Sequence, residues 1–344
     1  MEEAQLNGQP DVSFDDVVLA LRDEEQPFPA RNLYRLSALE GEELGLISRV
    51  WHGLSAQRRL GLLEDLETLA ESNTVLQFDA VNLIALDDED PRVRVTAIRS
   101  LWPSEQASLI PPLLELLEND ESTEVRAQAA AALGRFVYLG EVGKVPAGTL
   151  KKIEGRLLGL VDGDVDLLIR RRALESLGFS SRPEVPELIE HGYEDDNEEW
   201  AASALYAMGR SADDRWAPLV IDRLKDSNVE LSREAARAAG ELELSDALPA
   251  LVDLLQEEDS ELRLAAAWAL SQIGGEGAQD ALEEALERTE DEDEIDLIED
   301  ALENLTLTHE MSDLSILDFS PEDLEDLISP DTLDLGEDED QLIP

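Results

Sequence analysis

The sequence of 344 residues contains no cysteine, and only 4% of its residues are aromatic. The absence of cysteine excludes disulfide bonds, thiolate metal sites and thiol nucleophiles. Basic residues are also scarce: 27 Lys and Arg stand against 81 Asp and Glu, which leaves a formal net charge of −54. Because a phosphate backbone is bound by basic side chains, this charge argues against a nucleic-acid partner.

Long apolar runs and a targeting segment are missing as well. No stretch approaches the roughly 20 apolar residues that a membrane-spanning helix needs, and residues 1–5 lack the basic and apolar regions of a signal peptide. These features predict a soluble, cytoplasmic protein without membrane insertion. A hydrophobic fraction of 43%, with regularly spaced apolar residues, predicts a folded chain over most of its length rather than disorder.

A nine-residue pattern recurs six times in the chain. Each copy begins and ends with an apolar residue and has alanine at its fifth position, which places a small residue on one helical stripe where a neighbouring helix can approach closely. The copies start 32, 44, 31, 31 and 31 residues apart. The six segments are residues 93–101, 125–133, 169–177, 200–208, 231–239 and 262–270, and their central alanines are Ala97, Ala129, Ala173, Ala204, Ala235 and Ala266.

A second amphipathic helix is predicted before most of these segments, so each repeat reads as helix, turn, helix. One helix pair cannot bury its apolar face alone, and the pairs must therefore stack. The predicted fold is all-α, a right-handed α-solenoid of stacked helix pairs. We expect a helical cap and degenerate repeat over 1–55, about seven to eight helix pairs over 56–306, and an acidic, disordered tail over 307–344. Four glycines directly follow a segment and are predicted to end helices, namely Gly134, Gly178, Gly209 and Gly240.

An acid precedes an arginine by six residues in several repeats. Three pairs fit this spacing and a fourth is a near fit: Asp88/Arg94, Asp120/Arg126, Asp164/Arg170 and Glu257/Arg263. Together with the alanine-rich helix, this spacing resembles the HEAT repeat family, in particular the short HEAT-like repeats first associated with phycobilisome lyases. The resemblance covers roughly residues 56–306 and implies that these pairs form a structural ladder between successive units. It implies a fold and says little about function.

Two departures from the repeat mark candidate binding residues. The 44-residue step predicts an inserted loop around residues 140–148, and insertions in repeat proteins often carry recognition. The second departure is a basic cluster. Because Arg170 is assigned to the ladder, the positive charges of Arg171 and Arg172 have no partner assigned from the sequence. The alternative is local charge balancing of nearby acids. The candidate partner-binding residues of the cluster are Lys144, Lys151, Lys152, Arg171 and Arg172.

The tail over residues 307–344 has 13 acids and no base, with apolar residues threaded through it. The run 320–328 has a serine N-cap, a proline at the first helical position and acids in the first turn. A helix this short is marginal alone, so Leu324, Leu327 and Ile328 are predicted to fold on a partner or on the basic stretch 151–172 of the same chain. The alternative is a tail that only adds solubility.

Residues for catalysis are sparse. The histidines His52, His191 and His309 lie in separate units, and no phosphate-binding loop or nucleophile elbow is present. The deoxyhypusine hydroxylase family, also built from HEAT-like repeats, carries several His–Glu pairs for two irons. This sequence has one such pair, His309–Glu310. We therefore predict no catalytic residue, metal or cofactor, and we expect the five tryptophans to serve in packing.

The sequence favours a non-catalytic scaffold or assembly and regulatory adaptor. Its second helices would line a concave surface that binds a protein or peptide, and the acidic charge favours a basic partner. The alternative is a subunit of a lyase or other enzyme that handles a small ligand or chromophore.

Overall fold

The computed structural model describes residues 12–163, 165–275 and 277–316, with side chains described as far as residue 307. Within these ranges the regular elements are 18 α-helices and four short 3₁₀ turns. The helices are α1 Phe14–Arg22, α2 Ala30–Leu33, α3 Gly41–Trp51, α4 Ala56–Ser72, α5 Asp79–Ala85, α6 Pro91–Ser100, α7 Ile110–Asn119, α8 Thr123–Glu141, α9 Ala147–Val161, α10 Leu167–Leu177, α11 Val185–Tyr193, α12 Glu198–Arg210, α13 Ala217–Arg223, α14 Val229–Glu241, α15 Leu248–Leu254, α16 Ser260–Ile273, α17 Ala278–Arg288 and α18 Glu292–Ile316.

The chain divides between Leu242 and Glu243 into two compact units. In the first unit α8 packs against α6, α7, α9 and α10, and α12 packs against α10, α11 and α14. In the second unit α16 packs against α15 and α18, and α17 packs against α18. Each unit is therefore a stack of helix pairs, and the predicted all-α repeat fold is confirmed.

Polar side chains cap the starts of several helices. At α1, Ser13 accepts a hydrogen bond from the Asp16 backbone N–H at 3.2 Å, and its hydroxyl donates to the Asp16 carboxylate at 2.7 Å. Ser122 and Asn197 cap α8 and α12 in the same way, because each side chain accepts from a first-turn N–H.

The six alanines at the centre of the repeated segments are fully buried, each with 0% of its surface exposed. Of the four glycines that follow the segments, Gly178 is the C-cap of α10, which confirms its predicted role. Gly134, Gly209 and Gly240 lie within α8, α12 and α14, so the prediction was wrong for these three. A Cβ atom on Gly134 would lie 2.8 Å from the Ser176 hydroxyl, and one on Gly178 would lie 2.7 Å from the Ala207 carbonyl oxygen. These glycines allow the close approach of the next second helix.

The 44-residue step inserts helix rather than loop. The helix α8 has 19 residues and α9 has 15, and only residues 142–146 connect them. The side chains of Phe136, Val137 and Leu139 are buried, so the apolar stripe of α8 continues beyond its alanine-rich segment. The predicted loop over 140–148 was therefore too long.

Ion pairs between successive repeats form the expected ladder, with an extra rung. Arg94 pairs with Asp120 of the next repeat at 2.7 Å, while its Nη1 donates to the Asp88 backbone carbonyl of its own repeat at 2.6 Å. The Asp88 carboxylate pairs with Arg59 of the preceding repeat at 3.2 Å, where both side chains are buried. The sequence reading missed Arg59 because no acid lies six residues before it. In the second unit, Arg263 and Glu294 pair at 2.7 Å.

The ladder changes at Arg170, whose predicted partner Asp164 lies outside the described residues. The guanidinium of Arg170 lies 5.2 Å from the ring centroid of Trp200 in the next repeat, and its Nε donates to the Val161 carbonyl at 2.7 Å. At the other end of the chain, α18 continues to Ile316 and so includes the first ten residues of the predicted tail. The boundaries at residues 55 and 306 stay predictions, and Leu324, Leu327 and Ile328 lie outside the described residues.

Candidate functional site

Aromatic and arginine side chains lie close together at the C-terminal ends of successive second helices in the first unit. Trp102 follows α6, Phe179 follows α10, and Tyr206 and Arg210 belong to the last turns of α12. Because the repeat brings equivalent positions of stacked helices together, side chains distant in sequence meet here. We call this group the arginine–aromatic surface, and its members are Trp102, Arg135, Tyr138, Phe179, Tyr206 and Arg210.

Arg210 is the centre of the arginine–aromatic surface. Its guanidinium carbon lies 4.1 Å from the ring centroid of Tyr206, 4.7 Å from that of Phe179 and 6.0 Å from that of Trp102. The Phe179 ring also packs on Tyr138, with centroids 5.4 Å apart. Trp102 and Tyr138 each keep 40% of their surface exposed. The cation–π contacts hold these rings in place while leaving large aromatic faces open to solvent.

A group of acids adjoins this surface on α10 and α14. Glu175 accepts hydrogen bonds from the Ser203 hydroxyl at 2.7 Å and from Arg172 at 2.6 Å. Glu234 accepts from Arg237 at 2.8 Å, but its second oxygen, Oε2, has no hydrogen-bond partner among the described residues. We call the buried Glu175 and Glu234, together with the neighbouring exposed Glu241 and the groups that bind them, the buried-acid cluster.

Burial changes the acidity of this cluster. It raises the pKa of the Glu234 and Glu241 carboxyls and that of the Tyr206 hydroxyl. The nearby carboxylate of Glu175 raises the pKa of Glu234 further, and Arg237 opposes the shift. A positive charge close to these carboxylates stabilises their ionised form.

The structure places the predicted basic cluster in several different contacts. Arg171 pairs with Glu199 at 2.8 Å, and Arg172 pairs with Glu175 at 2.6 Å. The description of these two arginines as spare charge was therefore wrong, and local charge balancing accounts for them. Lys144 pairs with Glu105 at 2.9 Å, while Lys151 and Lys152 are exposed on α9.

A cavity of about 940 Å³ lies in the first unit and was not predicted. Its walls come from the end of α4, the start of α5, the end of α6 and the turn after α6. Trp102 belongs both to these walls and to the arginine–aromatic surface. The lining residues that matter for its chemistry are Glu71, Phe78, Asp79, Asn82, Arg99 and Trp102.

The remaining tryptophans divide into two groups. Trp51, Trp200 and Trp216 are buried, which confirms the packing role predicted for them. Trp268 is 40% exposed, like Trp102. Among the described side chains, no three His, Asp or Glu residues converge in the way that a metal ion requires.

None of the described helices combines the length and the apolar composition needed to cross a bilayer.

Several solved structures are similar to this chain. The chain resembles human deoxyhypusine hydroxylase, with 22% identity, 76% of this chain and 95% of that chain covered, and a TM-score of 0.34. It also resembles a chain in the complex of CpcE and CpcF of phycocyanin lyase from Nostoc, with 18% identity, 66% and 94% covered, and a TM-score of 0.46. A chain from the Kap95p–RanGDP complex is 14% identical, with 85% and 45% covered and a TM-score of 0.41.

No curated protein matches the chain in sequence. The HEAT repeat family matches residues 80–147 and 217–303, which include four of the six alanine-centred segments or parts of their helix pairs. These two stretches of the chain are therefore HEAT repeats.

Proposed function

We propose that this protein is a non-catalytic scaffold or assembly adaptor that binds a protein or peptide partner on its arginine–aromatic surface. The observation that supports this proposal is the stacking of Arg210 on Tyr206, Phe179 and Trp102. Tryptophan, tyrosine and arginine are the residue types that contribute most to binding energy when a partner covers them.

The arginine–aromatic surface is already ordered before a partner arrives. Arg210 contacts three rings and also donates a hydrogen bond to the Tyr206 hydroxyl. A partner therefore does not need to immobilise a freely rotating arginine, which lowers the entropic cost of binding. Aromatic side chains have few rotatable bonds and add contact area at a small entropic cost.

The charge of the chain favours a basic partner. The net charge is −54, and the carboxylates of Glu175, Glu234 and Glu241 adjoin the surface. A basic segment would be steered toward this region and would stabilise the ionised cluster. Lys151 and Lys152 on α9, and Leu324, Leu327 and Ile328 of the tail, remain proposed contacts, the last three with a partner or with the protein's own chain. We place this function in the cytoplasm.

A second candidate is a subunit of a lyase or other enzyme that handles a small ligand or chromophore. The cavity of about 940 Å³ favours this candidate, because its volume lies within the range of small-molecule sites, about 300–1,000 Å³. Absorbance in the visible range that co-purifies with the protein, or stoichiometric metal by elemental analysis, would favour it over the scaffold.

A pull-down from the source cell tests the scaffold proposal. The variant carries Phe179→Ala and Arg210→Ala, and the matched control is Arg215→Ala, which removes an arginine stacked on the buried Trp216. We expect the wild type and the control to recover the same partner equally, and the double variant to recover at least about tenfold less. Recovery of no other protein by the wild type, or equal recovery by all three, would contradict the proposal.

A further inference from the structure

The cavity of about 940 Å³ contains a buried polar group that lacks a partner. Asn82 on α5 lines the cavity and is only 3% exposed, and its Oδ1 has no hydrogen-bond partner among the described residues. A buried acceptor left without a donor is costly, since it has given up its hydrogen bond to water. A ligand that donates a hydrogen bond inside the cavity would remove this cost.

A carboxylate lies one helical turn before Asn82. Asp79 accepts hydrogen bonds from the Ser104 hydroxyl and the Gln106 amide, both at 2.8 Å. Both donors are uncharged, so no cation among the described residues pairs with Asp79. Residues three apart on a helix share a face, and both side chains line the same cavity. The cavity therefore presents a charged acceptor and a neutral acceptor together.

The other charges in the cavity leave it negative. Arg99, the one basic side chain in its walls, forms a forked pair with Glu67 at 2.7 and 2.5 Å. Glu105 is paired with Lys144 and Arg135 from outside the walls. Because these cations are already engaged, the charges of Asp79 and of the exposed Glu71 attract a further cation.

The rest of the wall suits an alkyl stem. Leu66 and Phe78 are buried apolar residues that line the cavity, and Trp102 presents an aromatic surface that is 40% exposed. Apolar contact favours the methylene groups of a long side chain, and the face of a tryptophan ring attracts a cation placed over it. An anion would meet uncompensated carboxylates, and a purely apolar ligand would leave Asn82 without a donor.

We propose that this cavity binds a basic side chain, lysine or arginine, presented by the partner chain. The head group would donate to the Asp79 carboxylate and to Asn82 Oδ1, and the stem would lie against Phe78 and Trp102. The identity of the source as a partner chain rests on the proposed function. Binding of the side chain itself can be measured separately.

Calorimetric titration of the full chain tests the binding. The probes are the Nα-acetyl methylamides of lysine, arginine and citrulline, the last being an uncharged analogue of arginine. We expect saturable binding of one or both cationic probes, with binding of the citrulline probe at least about tenfold weaker. Asp79→Asn should weaken binding of the cationic probes about tenfold, whereas the control Asp87→Asn, in the exposed turn after α5, should leave it unchanged. Equal affinity for the three probes, or no saturable binding, would overturn the proposal.

Two further variants are needed. One shows that weaker binding is not caused by unfolding, and the other distinguishes binding in the cavity from partner binding on the arginine–aromatic surface. Asn82→Asp keeps the size of the side chain and adds a charge, so it should tighten binding of the cationic probe; weaker binding in a folded protein would overturn the proposal. The variant Tyr138→Ala, which removes a ring of the arginine–aromatic surface that packs on Phe179 and Arg135, should weaken recovery of the partner yet bind the probe with unchanged affinity. A lysine-containing pentapeptide should bind more tightly than agmatine, and the opposite order would identify a free amine as the ligand and refute the partner side chain.

Discussion

Two parts of the first unit stack their repeats by different means. From α4 to α8, an arginine in one repeat pairs with an acid in the next, as in Arg59–Asp88 and Arg94–Asp120. In α12 and α14 the arginine position is occupied by Ala201 and Ser232, and Gly178 and Gly209 pack directly against the next second helix. One repeat architecture is therefore held together by buried charge in one part and by close packing in the other.

From α10 to α14 the charged groups lie on one face of the second helices, where Arg172, Glu175 and Glu234 belong to the buried-acid cluster. Close packing through small residues adds to the hydrogen bond that Glu175 accepts from Ser203 of the next repeat.

The largest effect is expected at the buried rung of the ladder. Asp88→Ala leaves Arg59, which is 1% exposed, without its buried partner and removes the acceptor of the Trp51 indole N–H at 2.7 Å. An uncompensated buried charge costs about 3–5 kcal/mol, so we expect the free energy of unfolding in urea to fall by about that amount. The control Glu89→Ala removes the other partner of Arg59, whose side chain is 78% exposed, and should cost at most about 1 kcal/mol. Equal losses would contradict a special role for the buried rung.

The close-packed half is tested by Gly178→Ala. The added Cβ would lie 2.7 Å from the Ala207 carbonyl oxygen and 2.9 Å from its Cα, and backbone atoms cannot rotate away. We expect a loss of about 1–3 kcal/mol, with reduced hydrogen-exchange protection first in α10 and α12. Gly155→Ala, inside α9 with no atom within 4 Å of its Cβ, should instead stabilise by about 0.5–1 kcal/mol. Stabilisation by both changes would show that close packing is not required at Gly178.

A smaller, pH-dependent effect is expected at Glu234. Burial raises its pKa above the ordinary value of 4.5, so the folded chain holds this proton more tightly than the unfolded chain does. The contribution to stability is full below about pH 4.5 and is lost as the pH rises through the raised pKa. Glu234→Gln should therefore increase the stability of the protein relative to wild type at pH 7, and the difference should shrink below pH 4.5.

The control for this change is Glu230→Gln, which alters a half-exposed carboxylate that pairs with Arg233 on the same helix. Thermal unfolding at several pH values measures both variants. A gain at Glu234 that is independent of pH would contradict the assigned cause.

Sequence periodicity predicts the stack well because alanine and apolar spacing report directly on burial. All six central alanines, from Ala97 to Ala266, are fully buried. The roles of the glycines were harder to predict, since the same residue suits a helix end and a close helix contact. Gly134 shows the ambiguity, because its segment pattern is that of a helix end while the helix continues to Glu141.

The binding features depend on contacts that no local pattern encodes. Arg172 has no evident partner within the run 170–172, yet it donates a hydrogen bond to the carboxylate of Glu175 on the same helix face. The cavity is lined by residues between 66 and 106. Asn82 stands out only in the structure, where no described neighbour donates a hydrogen bond to its Oδ1. Arg210 meets Trp102, which is 108 positions earlier in the sequence, because of the repeat stacking.

Photocrosslinking in the source cell tests most directly whether the arginine–aromatic surface is where a partner binds. Photoreactive benzoylphenylalanine replaces Tyr138, which is 40% exposed on this surface, or Leu19, which is 63% exposed on α1. The account predicts a discrete crosslinked adduct with another protein from position 138 and none from position 19. An adduct from position 19 alone, or none from position 138 in a folded protein, would contradict it.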